Sequence, residues 1–208
     1  MHVGVCFDAT ADLWLFSGGE WIRDFSGRLT APLLAWAQRH EGELLERLED
    51  RYILHGEWML AKHTVFYDEL PDLLLEYDIY DRGRQRYLST DARRALLEGT
   101  TIRSVPVLHE GPIDTVTQLQ RLVGPSAFRS ADQRQALEAA AAMAGVEVNV
   151  ALQQTDLTCL MEGLYVKHEA GGEVVGRYKW IREHFLDVLL SSGSHWRGRP
   201  VIENQTAR

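Results

Sequence analysis

MEGLYVKHEAGGEVVGRYKWIR, residues 161–182, is the stretch of this 208-residue chain that most directly indicates its fold. Two runs rich in β-branched and aromatic residues flank Gly171 and Gly172, and both glycines accept the positive φ angles of a tight hairpin turn. The stretch therefore predicts a β-hairpin. Pairing Ala170 with Glu173 across the turn gives opposite positions whose numbers add up to 343.

This predicted pairing places one carboxylate and two cations on the same face of the hairpin, because side chains alternate with period two. An exposed hairpin can carry a Glu–Lys pair worth under about 1 kcal/mol and have no further role. A functional face would need a second carboxylate and an aromatic side chain nearby. Glu57 in HGEW and Tyr77 in LEYDIYD are the candidates. The predicted face consists of Glu162, Leu164, Val166, Arg177, Lys179 and Ile181.

Working outward from the hairpin, short apolar strands mix irregularly with amphipathic helices, which predicts an α+β domain with an antiparallel sheet. Thr90 is predicted to cap a helix. No repeat, low-complexity tract or linker interrupts the chain, so a single domain over residues 1–208 is expected. Strands are predicted over 3–7, 13–16, 51–60, 73–80, 159–169 and 173–182, and helices over 31–50, 90–98, 114–123, 130–144 and 184–190.

Composition narrows the class of protein. Apolar residues make up 45% and charged residues 25%, which is typical of a globular domain. No apolar run could span a membrane, and no secretory leader is visible. The two cysteines form no CxxC motif and the eight histidines show no zinc-ligand spacing. A reduced, cytoplasmic protein without a membrane partner is expected.

Charge is distributed unevenly along the chain. The net charge is −8, which argues against indiscriminate coating of nucleic acid. Residues 41–81 contain 12 acids against 3 bases, whereas residues 175–208 contain 6 bases against 3 acids. A polyanionic partner would therefore meet the C-terminal region first. Only three of the cations are lysines: Lys62, Lys167 and Lys179.

Four motifs resemble, in the same order, the nucleotidyl-transfer motifs of the ATP-dependent RNA ligase family. These covalent nucleotidyltransferases also include DNA ligases and mRNA capping enzymes. The resemblance implies an antiparallel-sheet nucleotidyltransferase (ATP-grasp-like ligase) domain with flanking helices. It rests on GEW at 56–58, LEYDIYD at 75–81, MEGLYVK at 161–167 and GRYKWIR at 176–182. SVPVLHEGP (104–112), LVGPSAF (122–128) and SGSHWRGRP (192–200) further resemble a bacterial branch of RNA ligase domain proteins.

The resemblance also implies a reaction and its cofactors. A lysine of the family attacks the α-phosphate of ATP, forms lysyl–AMP and releases pyrophosphate. AMP then passes to a 5′-phosphorylated RNA end, and a 3′-hydroxyl end displaces it. By similarity Glu57 would hold the ribose hydroxyls, Tyr77 would stack on adenine and Lys167 would contact the nucleotide. Glu162 would position Mg²⁺ or Mn²⁺ at the α-phosphate.

Arg177 and Lys179 would neutralise charge on the phosphate in the transition state. The sequence departs from the family here, since lysine is usual at both positions, although a guanidinium also binds phosphate well. Gly18 stands where the family commonly has an arginine. The nucleophilic lysine of the family lies in K-x-D-G-x-N, and Met1 and His2 stand where that motif ends. The lysine is therefore expected to fall outside these 208 residues.

Two functions remain open on the sequence. The first is an RNA ligase domain whose nucleophile lies upstream of Met1. The second is a catalytically inactive module, derived from such an enzyme, that binds nucleotides or RNA ends. A purely structural α+β domain is disfavoured by the four ordered motifs.

Overall fold

Nine strands of one sheet and six helices make up the part of the chain that the computed structural model describes, residues 1–192 and 198–207. The strands are β1 (His2–Phe7), β2 (Leu13–Ser17), β3 (Glu20–Trp21), β4 (Tyr52–Trp58), β5 (Leu74–Asp81), β6 (Arg86–Leu88), β7 (Arg103–Ser104), β8 (Gly163–Ala170) and β9 (Glu173–Ile181). The helices are α1 (Thr30–Leu48), α2 (Thr90–Leu96), α3 (Val116–Gln120), α4 (Gln133–Met143), α5 (Val148–Gln153) and α6 (Glu183–Ser191).

The sheet confirms the predicted α+β class with antiparallel pairing. Its order is β3-β2-β1-β4-β5-β6-β9-β8, and the two-residue strand β7 pairs with β5 in parallel. The pairs β1–β2, β1–β4, β4–β5 and β6–β9 are all antiparallel. No helix in the described residues is both long and apolar enough to cross a bilayer.

The chain forms two compact units, of which the first contains Met1–Met59, Leu74–Val105 and Lys167–Arg177. In this unit α1 packs against β1 and β4, because its apolar residues recur at helical spacing and form a buried stripe. The sheet face under α1 includes Val3 and Leu54, both fully buried. Residues next to them in sequence therefore point to the opposite face of the sheet.

The second unit contains Leu60–Leu73, Pro106–Val166 and Tyr178–Arg208. One apolar cluster of this unit combines residues of α4 and α5 with residues from a loop and the C-terminal segment. The cluster consists of Phe66, Leu137, Ala140, Ala141, Ala151 and Ile202.

The predicted hairpin is present, and Gly171 and Gly172 take positive φ angles of 61° and 82° at its turn. The predicted pairing is wrong by one position at the open end. The N–H of Arg182 donates to the main-chain oxygen of Glu162, a pair whose numbers add up to 344. Strand β9 has nine residues against eight in β8, and an extra residue in one strand shifts the register in this way. A one-position shift exchanges the two faces, so the predicted set of six residues on one face does not hold.

Other departures from the predicted elements are local. Ser89, not Thr90, is the N-cap of α2, and its side chain accepts a hydrogen bond from the N–H of Ala92. The hydroxyl of Thr90 instead donates to Glu169. Strands β3 and β6 and helix α5 were not predicted. Residues 193–197, the centre of the SGSHWRGRP motif, lie outside the described residues.

Candidate functional site

A buried carboxylate, Asp78 on β5, lies at the centre of the candidate site in the first unit. Nζ of Lys167 is 2.7 Å from its Oδ1, and Nη1 of Arg177 is 3.3 Å from its Oδ2. Burial of a carboxylate is costly unless cations and hydrogen bonds compensate it. Asp78 therefore fixes one cation from each strand of the hairpin, and Lys167 also donates to the main-chain oxygen of Tyr77.

A β-bulge interrupts β5 at Tyr77. His55 pairs with Asp78 and Gly56 with Glu76, so Tyr77 is an extra residue between two ladder positions. A bulge redirects side chains and is common next to functional sites. The Tyr77 hydroxyl is hydrogen-bonded to Nδ1 of His2, and the two rings are tilted with centroids 5.9 Å apart.

Glu57 lies on the sheet face opposite α1. The β1–β4 ladder pairs His2 with Glu57 and Gly4 with His55, and alternate residues of a strand share a face. The Glu57 carboxylate is bonded to the amino group of Met1 and remains 38% exposed. His2 thus stands between the two predicted nucleotide-binding residues, because it pairs with Glu57 and bonds Tyr77.

Aromatic rings cover this face. His2 and His55 stack at 5.3 Å with an interplanar angle of 10°, and Phe16 meets His55 edge-on at 5.8 Å. The Tyr87 ring is 5.7 Å from His55, and the guanidinium of Arg177 lies 3.8 Å from the Tyr87 ring centroid. Planar rings beside fixed cations suit a ligand that combines a base with phosphates.

Burial keeps the two histidines of this face neutral. Desolvation lowers the pKa of His55 to about 4, and the neighbouring His2 adds to this effect. Desolvation also lowers the pKa of His2, although Glu57 acts in the opposite direction. The side chains that pair with the Asp78 carboxylate are therefore Lys167 and Arg177, not these histidines.

The second unit contains the two remaining predicted residues. Oε1 of Glu162 accepts a hydrogen bond of 2.6 Å from the hydroxyl of Tyr67, whose N–H donates to Oδ1 of Asn204. Lys179 on β9 is exposed. A cavity shared by all six predicted site residues stays a prediction.

A comparison with protein-family models finds that residues 2–181 match the model of the RNA ligase family.

The chain belongs to the RNA ligase family. Three solved structures share its fold, and all are of RNA ligase from Naegleria gruberi. They are a variant with ATP and Mn (18% identity, TM-score 0.55), a variant with AMP and Mn (19%, 0.56) and the protein with PPi (19%, 0.56). Each match covers 89% of this chain and 48% of the solved one, so this chain spans about half the length of those ligases. No curated protein matches it in sequence.

The RNA ligase motifs fall on four strands of the sheet. GEW lies on β4, LEYDIYD on β5, MEGLYVK leads into β8 and GRYKWIR lies on β9. The predicted nucleotidyltransferase-like fold is therefore confirmed. The sheet brings Glu57, Tyr77, Lys167 and Arg177 into the first unit, while Glu162 and Lys179 belong to the second.

Gly18 stands where RNA ligases commonly have an arginine, and the backbone conformation explains this difference. Gly18 and Gly19 connect β2 to β3 with φ angles of 62° and 86°. An arginine at either position would adopt a left-handed conformation that side chains with a Cβ disfavour. The turn that this chain uses therefore favours glycine over the family's cation.

The carboxylates of the described residues suit a metal ion that arrives with a nucleotide. No group of three or more His, Cys, Asp or Glu side chains in residues 1–192 and 198–207 could hold a metal alone. Mg²⁺ is usually bound by one or two carboxylates together with substrate phosphates and water. Glu162, whose carboxylate accepts a hydrogen bond from the hydroxyl of Tyr67, has the ligand type that this binding mode requires.

Asp78, His2 and His55 belong to the site, although no sequence motif identified them. A signal for Asp78 was present, because LEYDIYD reads as a buried strand that contains three acids. Each buried acid in this strand requires a cation. Glu76 pairs with Arg93 on α2, and Asp78 pairs with Lys167 and Arg177. The histidines gave no such signal, since their proximity depends on the β1–β4 register.

Proposed function

We propose that this chain is a single nucleotidyltransferase domain of an ATP-dependent RNA ligase, whose substrates are ATP and the 5′-phosphate and 3′-hydroxyl ends of RNA. The reaction would pass through lysyl–AMP and RNA–adenylate. The observation that carries the proposal is the family match over residues 2–181, within which Lys167 and Arg177 meet at Asp78 beside Tyr77. The cytoplasm is the proposed location, in agreement with two free cysteines.

Nucleotide binding is assigned to the first unit. Tyr77 would present its ring to adenine, and its hydrogen bond to His2 holds that ring in place. Glu57 would accept hydrogen bonds from the ribose hydroxyls, since it pairs with His2 on this face and its side chain is 38% exposed. Lys167 would contact the nucleotide from β8, where Asp78 fixes its ammonium group.

Neutralisation of the phosphate charge is assigned to Arg177 and Lys179. Arg177 is held between Asp78 and the Tyr87 ring, so its guanidinium is oriented before a ligand binds. Glu162 would hold the Mg²⁺ or Mn²⁺ ion, which when bound supplies Lewis-acid stabilisation of the α-phosphate.

The nucleophilic lysine is proposed to lie upstream of Met1. The three lysines of the chain have other surroundings: Lys167 pairs with Asp78, Lys179 belongs to the GRYKWIR motif, and Lys62 donates to two main-chain oxygens of the second unit. In-line attack requires an amine roughly 3–3.5 Å from the α-phosphorus.

Labelling with ATP tests this proposal. The 208-residue chain, incubated with α-labelled ATP and Mg²⁺ or Mn²⁺, should retain no label on a denaturing gel. The chain extended through an upstream K-x-D-G segment should retain it. A band that appears without the extension and disappears in Lys62→Ala would contradict the proposal and identify Lys62 as the nucleophile.

A second candidate function is a catalytically inactive module that binds nucleotides or RNA ends. The glycine turn at Gly18 favours it, because the family's cation is missing there. An extended chain that contains K-x-D-G, binds ATP and still retains no label would favour this module over the ligase.

A further inference from the structure

A cavity of about 330 Å³ lies within the second unit. Its size is at the lower end of the range for small-molecule sites. One part of its lining is apolar, from Val146, Val150 and Ile202, and another part is basic, from Lys62 and Arg199. None of these residues belongs to the predicted ligase site.

Lys62 is a buried cation beside this cavity, with only 8% of its surface exposed. Its Nζ donates to the main-chain oxygens of His63 and Gln154, both at 3.0 Å. An ammonium group has three donors, so two carbonyls leave one N–H of Lys62 for a further acceptor. Neither carbonyl carries a formal charge that would compensate the buried ammonium.

Arg199 adds a second cation to the same cavity. Its Nη2 donates to Oγ of Ser192 at 2.6 Å, and desolvation lowers its pKa. Burial, with a smaller contribution from Arg199, lowers the pKa of Lys62 to about 8. Among the described residues that line the cavity, Glu147 is acidic, and Lys62 and Arg199 are basic. A buried ammonium group bonded to neutral carbonyls favours an anionic ligand.

We propose that this cavity, which we call the Lys62 cavity, binds a small phosphate monoester. The phosphoryl group would contact Lys62 and Arg199, whose donors suit its several oxygens. The organic part would pack against Val146, Val150 and Ile202, because the cavity is larger than a phosphate ion requires. This site is separate from the proposed ligase function and does not depend on it.

Phenyl phosphate is the probe for a free phosphate monoester, and benzyl alcohol is the uncharged control. Calorimetric titration at pH 7 compares the unchanged chain with Lys62→Met, Arg199→Gln and Arg134→Gln, the last at an exposed position of α4 outside the cavity. Removing one charged hydrogen-bond partner should weaken phenyl phosphate binding at least about tenfold in the first two variants. Arg134→Gln should bind it as the unchanged chain does, and benzyl alcohol should bind at least about tenfold more weakly.

The pH dependence gives a second signature. Deprotonation removes the charge of Lys62, so affinity should fall as pH rises from 7 to 9.5, through the pKa of Lys62. His63, Glu147 and Arg199 also line the cavity, so the substitutions must show that the decrease belongs to Lys62. Arg199→Gln should keep the decrease and Lys62→Met should lose it, which separates the loss of a charge from misfolding.

A further titration distinguishes two sources of the phosphate monoester. It compares the binding of a 5′-phosphorylated oligoribonucleotide with that of the same oligoribonucleotide carrying a 5′-hydroxyl group. A phosphate-dependent difference that Lys62→Met removes would assign the cavity to an RNA end, and otherwise to a free small molecule. The proposal is overturned if phenyl phosphate does not bind, if Lys62→Met and Arg199→Gln bind it unchanged, or if Arg134→Gln alone abolishes binding.

Discussion

Asp78 is the residue on which the candidate site depends most, because its carboxylate holds Lys167 and Arg177 beside Tyr77. The motifs identified those three neighbours from sequence, since each has a residue type suited to a nucleotide. They did not identify Asp78, whose role depends on which side chains the β-bulge at Tyr77 directs towards the hairpin. Contacts between residues about 90 positions apart cannot be derived from spacing along the chain.

Asp78→Asn tests that role. The substitution leaves two cations next to a neutral amide, and we expect the free energy of unfolding to fall by about 3 kcal/mol. Urea titration measures it, and Asp114→Asn, at an exposed position, is the control and should keep the original midpoint. If Asp78→Asn unfolds at the same urea concentration as the unchanged chain, the carboxylate does not hold the site together.

His55 predicts how stability depends on pH. Its pKa is about 4 in the folded chain and about 6.5 when unfolded, so the unfolded state binds more protons between these values. Stability should therefore be lost as pH falls from 6.5 to 4, by about 3 kcal/mol from His55, with His2 acting in the same direction.

Urea titrations across this pH range provide the measurement. His55→Gln should reduce the acid-dependent loss of stability, whereas His109→Gln, at an exposed position, should not. If the free energy of unfolding depends on pH equally in His55→Gln and in the unchanged chain, His55 is not buried in its neutral form.

Among the elements, the hairpin of β8 and β9 was the most predictable and its register the least. Gly171-Gly172 and the alternating flanks specify a turn and two strands. They do not specify where an extra residue enters β9, because that depends on neighbours such as β6. Strand β6 was missed for a related reason, since three residues are too few for a periodic pattern.

Gly163 and Gly42 give a matched pair of substitutions at the element scale. A Cβ at Gly163 would lie 2.1 Å from the main-chain oxygen of Trp180, so the strands would have to separate. We expect Gly163→Ala to lower the free energy of unfolding by about 2 kcal/mol. Gly42 lies within α1 and a Cβ there meets nothing within 4 Å, so Gly42→Ala should raise it by up to about 1 kcal/mol.

Thermal and urea unfolding of both variants provide the measurement. A Gly163→Ala chain as stable as Gly42→Ala would mean that β8 and β9 do not approach closely at this glycine. It would also remove the packing reason for glycine after Glu162 in the MEGLYVK motif.

For the whole molecule, the α+β class and antiparallel pairing followed from alternating patterns, but the strand order did not. The order β1-β4-β5-β6-β9 joins segments far apart in sequence, and such pairing leaves no local trace. The family match covers residues 2–181, while the chain spans about half of the solved ligases it resembles. Activity of these 208 residues must therefore be measured directly.

Sealing of a pre-adenylylated RNA is the most direct measurement of the ligase proposal. In this step a 3′-hydroxyl attacks the 5′-phosphate of an adenylylated strand, a phosphodiester forms and AMP leaves, so no lysine nucleophile is used. The 208-residue chain with Mg²⁺ or Mn²⁺ and without ATP should give joined RNA, and Arg177→Met or Lys179→Met should reduce the rate at least about tenfold. A chain that binds the adenylylated RNA but yields no joined product would contradict the proposed ligase function.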